Sequence, residues 1–245
     1  MNEPSFFELA RQALSSTRRG YDLLAPKFEY TPYATPTEWI EQAVEFVSKR
    51  YPSVSEEPRG ADLACGTGRG ARVLRGCCCH QVDGYDFSSG MLEKASQLSG
   101  ATSGLRWIQG DLAQLELPRE FYDRMVTFGA WGHILPQFRM QLLSQIPRAL
   151  KPGGVFFTLT ADEARPWEKR FWISYFFDLA IRLRNLVWFS EFHMYYRLNS
   201  TQQLLKIWEE VSHNRDCPEF EVAVHHLEDQ PTALKLLILR RIPND

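Results

Sequence analysis

Apolar residues change their spacing several times along the chain, and each change predicts an element. Between residues 60 and 160, short runs of β-branched, aromatic and aliphatic residues alternate with segments of helical periodicity. Strands are predicted over 60–64, 81–86, 105–109, 122–128 and 154–160, and helices near 69–75, 88–98 and 138–150. Upstream, Trp39, Ile40, Ala43, Val44, Phe46 and Val47 recur at helical spacing after a Thr37 cap, which predicts a helix over 37–50. Pro52, Pro58 and Gly60 interrupt the chain before the first strand. Strands alternating with helices predict a doubly wound, mostly parallel α/β sheet with helices on both faces.

Beyond residue 160 the pattern changes. Residues 165–192 are rich in aromatics. Trp172, Phe176, Leu179, Leu183 and Leu186 form one helical stripe, and Ser174, Asp178, Arg182 and Asn185 form a second, polar one. Charges interrupt the segment too often for a membrane span. Two readings stand for this helix: packing on the core, or a lid over an apolar pocket on the side where open α/β sheets bind ligands. A further helix over 200–213 and two closing strands over 220–227 and 233–240 complete the pattern.

Composition narrows the classes. The 245 residues suffice for one α/β domain, and 44 % hydrophobic residues is ordinary for a globular chain. A formal net charge of −2 with no basic run argues against a nucleic-acid surface, which needs a positive field. Five cysteines, three of them adjacent at Cys77, Cys78 and Cys79, make a poor disulfide framework and have the wrong spacing for zinc, even with His80 beside them. The first residues lack the basic start and apolar core of a signal peptide, so a reducing, cytoplasmic setting is expected.

The chemistry concentrates at Asp62-Leu63-Ala64-Cys65-Gly66-Thr67-Gly68. A strand ends in a carboxylate, and a glycine turn follows that lets a ligand approach the main chain. Gly66-x-Gly68-x-x-Ala71 fits a dinucleotide fingerprint formally. A carboxylate before the glycines repels a pyrophosphate, whereas it pairs with the ammonium and sulfonium of S-adenosylmethionine. Asp86 and Asp111 end the second and third strands, so three acids stand at three successive strand ends.

These residues resemble the class I S-adenosylmethionine-dependent methyltransferases, in the small-molecule branch. The resemblance continues through Gly84-Tyr85-Asp86, Gly110-Asp111-Leu112, Tyr122-Asp123 and Leu150-Lys151-Pro152-Gly153-Gly154, and upstream at Tyr21-Asp22. It implies a Rossmann-like seven-stranded sheet with an antiparallel last strand. It also implies a single domain over 1–245, with an N-terminal helical cap over 1–58 and a substrate lid inserted over 161–199. Asp62, Ala64, Gly66 and Gly68 would then hold the methionine end of the cofactor, and Asp86 the ribose hydroxyls. Phe87 and Met91 would line the adenine, with Asp111 and the Leu112 amide at its polar edge. Tyr21 and Phe128 would complete the cofactor site. Ala64 departs from the glycine more common in the family.

The acceptor side is less legible. His133 follows the fourth strand, where a general base would serve a hydroxyl acceptor. Tyr30, Tyr33, Trp131, Trp172, Tyr195, Tyr196 and Arg197 are candidate substrate-wall residues. The expected partner is a small hydrophobic or aromatic molecule, with S-adenosylhomocysteine as coproduct and O-methylation as the first reading. No metal, nucleic acid or stable membrane insertion is expected, and the chain is expected to be a monomer or homodimer. A nicotinamide-dependent oxidoreductase and a non-catalytic cofactor-binding relative are the rival readings.

Overall fold

The computed structural model describes residues 3–13, 15–31, 34–53, 55–132, 134, 136–162, 164–187, 200–227 and 234–243. Three helices precede the sheet: α1 (Phe6–Ala13), α2 (Thr17–Leu24), continued by a 3₁₀ turn over Ala25–Tyr30, and α3 (Thr37–Arg50). Strands β1 (Arg59–Leu63), β2 (Gln81–Asp86), β3 (Leu105–Gln109), β4 (Tyr122–Thr127) and β5 (Leu150–Ala161) follow. Helices α4 (Arg69–Cys77), α5 (Ser89–Ser99) and α6 (Pro136–Ala149) alternate with them. After β5 come α7 (Lys169–Val187), α8 (Thr201–Ser212), β6 (Phe220–His225) and β7 (Leu234–Arg241).

The seven strands form one sheet in the order β3-β2-β1-β4-β5-β7-β6. The first five pair in parallel, and β7 runs antiparallel to both β5 and β6. The expected mostly parallel sheet with an antiparallel last strand is therefore what the chain forms. From β1 the chain moves to β2 and β3, then returns on the other side as β4. That reversal opens a crevice at the carboxyl ends of β1 and β4, the ligand position of open α/β sheets.

Both faces of the sheet are buried, which explains why its strands read as nearly continuous apolar runs. On one face Leu63, Met125, Phe156 and Leu237 pack against Leu142 and Ile146 of α6 and Trp208 of α8. On the other, Val82, Val126 and Phe157 pack against Ile40, Val44 and Val47 of α3 and Leu74 of α4. Each such buried side chain contributes roughly 1.5–3 kcal/mol before conformational entropy is counted, so α3 is firmly seated.

At the opposite end of the sheet from the crevice, Asp123 accepts from the Arg59 amide at 2.9 Å, from Lys151 Nζ at 2.8 Å and from Ser55 Oγ. Burial works against its charge, but Lys151 and the other donors hold it below the ordinary carboxylate range. Lys151 lies in a bulge. Leu150 pairs with Tyr122, and pairing resumes only at Val155 opposite Arg124, with Gly153 in the left-handed region at φ 78°. For that reason β5 starts at Leu150, ahead of the residue 154 expected from the pattern.

The adjacent cysteines divide between core and surface: Cys79 is buried against the α3–α4 face, Cys78 is half-buried and Cys77 is exposed. Among the described residues no cluster of His, Cys, Asp and Glu could hold a metal ion. Nor is any helix among them long and apolar enough to cross a membrane. The apolar stripe of α7 does not pack on the core. Trp172, Phe176, Leu183 and Leu186 are all exposed, whereas Asp178 of the polar stripe is buried.

Candidate active site

From β1 the chain turns through Ala64 at φ 54°, Gly66 at φ 53° and Gly68 at φ 79°. These left-handed residues redirect the chain into α4, for which Gly68 is the N-cap. The two glycines serve different needs. A Cβ on Gly66 would meet only Phe28, at 3.9 Å, so the main chain there is open to a ligand. A Cβ on Gly68 would overlap the Trp107 indole and press on Ala95 at 3.0 Å. Gly68 is thus required by packing as well as by its backbone angle.

Asp62 is buried at the end of β1, and its Oδ2 accepts from the Ala71 amide at 2.7 Å. The first turn of α4 lies tight against it: a Cβ on Gly70 would stand 2.7 Å from Asp62 Oδ2 and 3.0 Å from Phe128. Burial pushes Asp62 up to about 7, helped by the nearby Asp86 charge and opposed by the Ala71 N–H and Arg72. Asp86 is buried at the end of β2. Its Oδ2 accepts from the Gly66 amide at 2.8 Å and its Oδ1 from the Ser88 amide at 2.9 Å. Burial lifts it to about 6, against the backbone amides that favour its charge. Two buried carboxylates at one glycine turn make a site that favours a cation or hydrogen-bond donors.

The N-terminal helices complete this region. Asp22 Oδ1 accepts from Ser88 Oγ at 2.6 Å and from the Gly90 amide at 3.0 Å. Ser88 in turn caps α5 by accepting from the Met91 amide at 3.1 Å. Tyr21, Phe28, Phe87 and Met91 form one apolar cluster over the turn, with the Tyr21 ring 6.1 Å from both Phe28 and Phe87. Glu29 accepts from Thr67 Oγ1 and Arg69, and Arg69 also donates to the Thr35 carbonyl. The sequence reading assigned no role to Glu29. Its partners lie far along the chain, so no local spacing marks it.

Asp111 joins this region through its neighbour: the Gly110 amide donates to the Asp86 carbonyl at 2.9 Å. Asp111 itself is exposed, its Oδ1 accepts from the Ala113 amide at 2.9 Å, and Leu112 is buried. That is the turn-forming use of an aspartate. Phe128 is half-buried at the end of β4, with its ring 6.2 Å from Phe157. Trp131 lies in the main core, where its indole N–H donates to Thr158 Oγ1 at 3.0 Å. Buried Arg139 of α6 donates to the carbonyls of Trp131 at 2.6 Å and Ile134 at 2.9 Å. Tyr30 ends the 3₁₀ turn, 45 % exposed. Trp172 stands on the outer face of α7 and donates to the Pro166 carbonyl at 2.8 Å. His133, Tyr33, Tyr195, Tyr196 and Arg197 lie outside the described residues.

The architecture is of the Rossmann-like methyltransferase type, and solved structures share it. The chain superposes on an S-adenosylhomocysteine complex of DhpI with a TM-score of 0.62 at 16 % identity, covering 98 % of this chain and 100 % of that one. An S-adenosylmethionine-dependent methyltransferase from Mesorhizobium loti gives a TM-score of 0.57 at 20 % identity, with 85 % and 100 % covered. At these identities the likeness is one of fold. In sequence, residues 61–154 match the methyltransferase domain family. The demethylmenaquinone methyltransferase of Staphylococcus epidermidis is 29 % identical over 127 residues, 51 % of this chain and 52 % of that protein. The Staphylococcus aureus enzyme of the same name gives 29 % over 126 residues. The match thus spans about half the length of these curated relatives. Residues 61–154 thus match a methyltransferase domain in sequence, and the fold is that of S-adenosylmethionine-dependent methyltransferases.

The residues present fit that cofactor. The carboxylates suit its ammonium and ribose hydroxyls, and the main chain at Gly66 is open to approach. The dinucleotide-binding order 3-2-1-4-5-6 is not the one formed here.

Proposed function

We propose that this chain transfers the methyl group of S-adenosylmethionine to a small, largely hydrophobic or aromatic acceptor, with oxygen as the receiving atom. The pair of buried carboxylates at the glycine turn carries the reading. In it, Asp62 and the turn from Ala64 to Gly68 hold the amino-acid end, and Asp86 accepts from the ribose. Tyr21, Phe87 and Met91 hold the adenine in the apolar cluster beside that turn, with Asp111 and the Leu112 amide at its polar edge. Phe128, against the first turn of α4, bounds the site next to Asp62.

The bound cofactor supplies an activated methyl on a good leaving group. The chain's part is therefore to orient the acceptor in line and exclude water. His133, which follows β4 in the sequence, takes the proton of a hydroxyl acceptor. The curated relatives are named for a quinone acceptor, which supports an apolar ring as substrate and keeps carbon as the second candidate atom.

Calorimetric titration with S-adenosylhomocysteine, with NADH and NADPH as controls, tests the cofactor. Binding of a nicotinamide in its place would redirect the reading to hydride chemistry. A screen of phenols and quinols with isotope-labelled methyl donor, read by NMR of the product, then distinguishes a methoxy group from a ring methyl. Cofactor binding without turnover of any acceptor would favour the non-catalytic reading.

A further inference from the structure

Helix α7 turns its polar side toward the protein. Asp178 and Ile181 are buried, Ser174 and Asn185 are half-buried, and Arg184 donates to the Ser15 carbonyl at 2.7 Å. Its other side is apolar and faces outward: Trp172 is 49 % exposed, Ile173 71 %, Phe176 59 %, Leu183 55 %, Leu186 84 % and Val187 77 %. At 100° per residue these positions fill an arc of roughly 140°. Single exposed apolar residues are ordinary on a protein surface, but a contiguous arc of this kind marks an interaction face.

The charge around the arc identifies its partner. Residues 165–187 hold five basic side chains (Arg165, Lys169, Arg170, Arg182, Arg184) against Glu168 and Asp178, a net +3. The whole chain is −2, so the remainder is −5. Arg165 and Lys169, at the N-terminal end of the segment, are exposed, whereas Arg184 is turned to Ser15 and Asp178 is buried. Arg18 and Arg19 of α2 are exposed, and α2 begins just after Ser15, to which α7 is bonded. An apolar arc with exposed basic side chains beside it fits the interface of an anionic bilayer, where the apolar side chains enter the acyl boundary and the basic groups meet phosphates. A second copy of this face is a poorer partner, because pairing would bring two net positive surfaces together.

We infer that α7 docks the protein on an anionic lipid surface, lying in the headgroup plane with the Trp172–Val187 arc inserted. This inference is independent of the acceptor, since it concerns lipid binding without catalysis.

The test is cosedimentation of the full chain with vesicles of phosphatidylcholine alone and of phosphatidylcholine with about one quarter phosphatidylglycerol. Binding to the anionic vesicles is expected to be about tenfold or more tighter than to neutral ones, and to weaken as salt is raised. Combined Phe176→Glu, Leu183→Glu and Leu186→Glu substitution should abolish binding. The melting temperature should be unchanged, because these side chains are exposed. Lys169→Gln with Arg165→Gln should weaken binding severalfold with the arc intact. Absence of binding to either vesicle, equal binding to both, or binding that survives the triple substitution would overturn the inference. Light scattering that shows a dimer dissolved by the triple substitution, without vesicle binding, would reassign the arc to self-association.

Discussion

The Asp86 carboxylate accepts from the Gly66 amide at 2.8 Å, so the end of β2 is tied to the glycine turn that ends β1. The same carboxylate holds the Ser88 amide at the start of α5. Asp86→Ala removes both anchors together with the proposed ribose acceptor. Hydrogen bonds to a charged group contribute about 1.5–3 kcal/mol each, so S-adenosylhomocysteine affinity should fall by about a hundredfold. Asp86→Asn keeps one acceptor oxygen and should lose less. Isothermal titration decides, and an unchanged affinity for Asp86→Ala would remove this residue from the site.

Asp62 and Asp86 titrate at about 7 and about 6, both raised from 3.8 by burial. A carboxyl group raised in the folded state binds its proton more tightly there than in the unfolded chain. Stability therefore falls as pH rises from about 4 through about 7. A cationic ligand favours the ionised form, so its stabilisation grows across the same interval. Melting curves with and without S-adenosylmethionine should diverge as pH rises, and Asp62→Asn should flatten the ligand-free slope. Parallel curves at every pH would contradict the assignment.

Glu29 joins the 3₁₀ turn to the glycine turn through Thr67 and Arg69. Burial works against its charge, yet the two donors hold it below the ordinary range. Glu29→Ala leaves Arg69, which is mostly buried, without that carboxylate and should loosen the turn locally by about 1–3 kcal/mol. Hydrogen exchange should quicken in peptides covering 60–72 and 25–31, while core strands keep their protection.

Much of this arrangement is legible in the sequence, and the exceptions have physical reasons. Helix α3 and strand β2 fall on the expected residues, because their apolar spacing and breakers are local. The three acids are found where strand ends place them. The Glu29 latch is missed because its partners Thr67 and Arg69 are distant in sequence, whereas the 3₁₀ turn and the Arg139 contacts are local but follow no apolar periodicity. The early start of β5 is missed because a bulge hides the pairing of Leu150. For α7 periodicity finds both stripes, but of the two readings packing of the apolar stripe on the core is overturned, since Trp172, Phe176, Leu183 and Leu186 are exposed and Asp178 is buried. Spacing defines a stripe, whereas only tertiary contacts decide which one is buried.

Tyr122 links two polar groups inside the main core. Its hydroxyl lies 2.6 Å from that of Tyr85 and donates to Asp83 Oδ2 at 2.8 Å, while Arg106 holds Asp83 from the rim. Burial raises the Tyr122 hydroxyl far above its ordinary range, so it stays protonated and keeps donating. Tyr122→Phe should lower stability by about 1–3 kcal/mol in urea unfolding. Arg106→Ala should cost less than about 1 kcal/mol, because that side chain is 65 % exposed.

Strand β7 enters the sheet beside β5, with Leu234 opposite Ala161 and Arg240 opposite Val155. Residues 59–161 supply the five parallel strands, but β5 gains its second neighbour only when residues 234–241 arrive. On the ribosome, a nascent chain that has reached Ala161 presents an unpaired edge over Phe156 and Phe157, both fully buried once folding is complete. Such late, long-range pairing is slow and leaves intermediates prone to aggregation. A frameshift or stop codon just before Leu234 would therefore do more than delete a strand. It would leave the centre of the sheet sticky, and the truncated product should go to proteolysis or inclusion bodies rather than persist as a smaller folded domain.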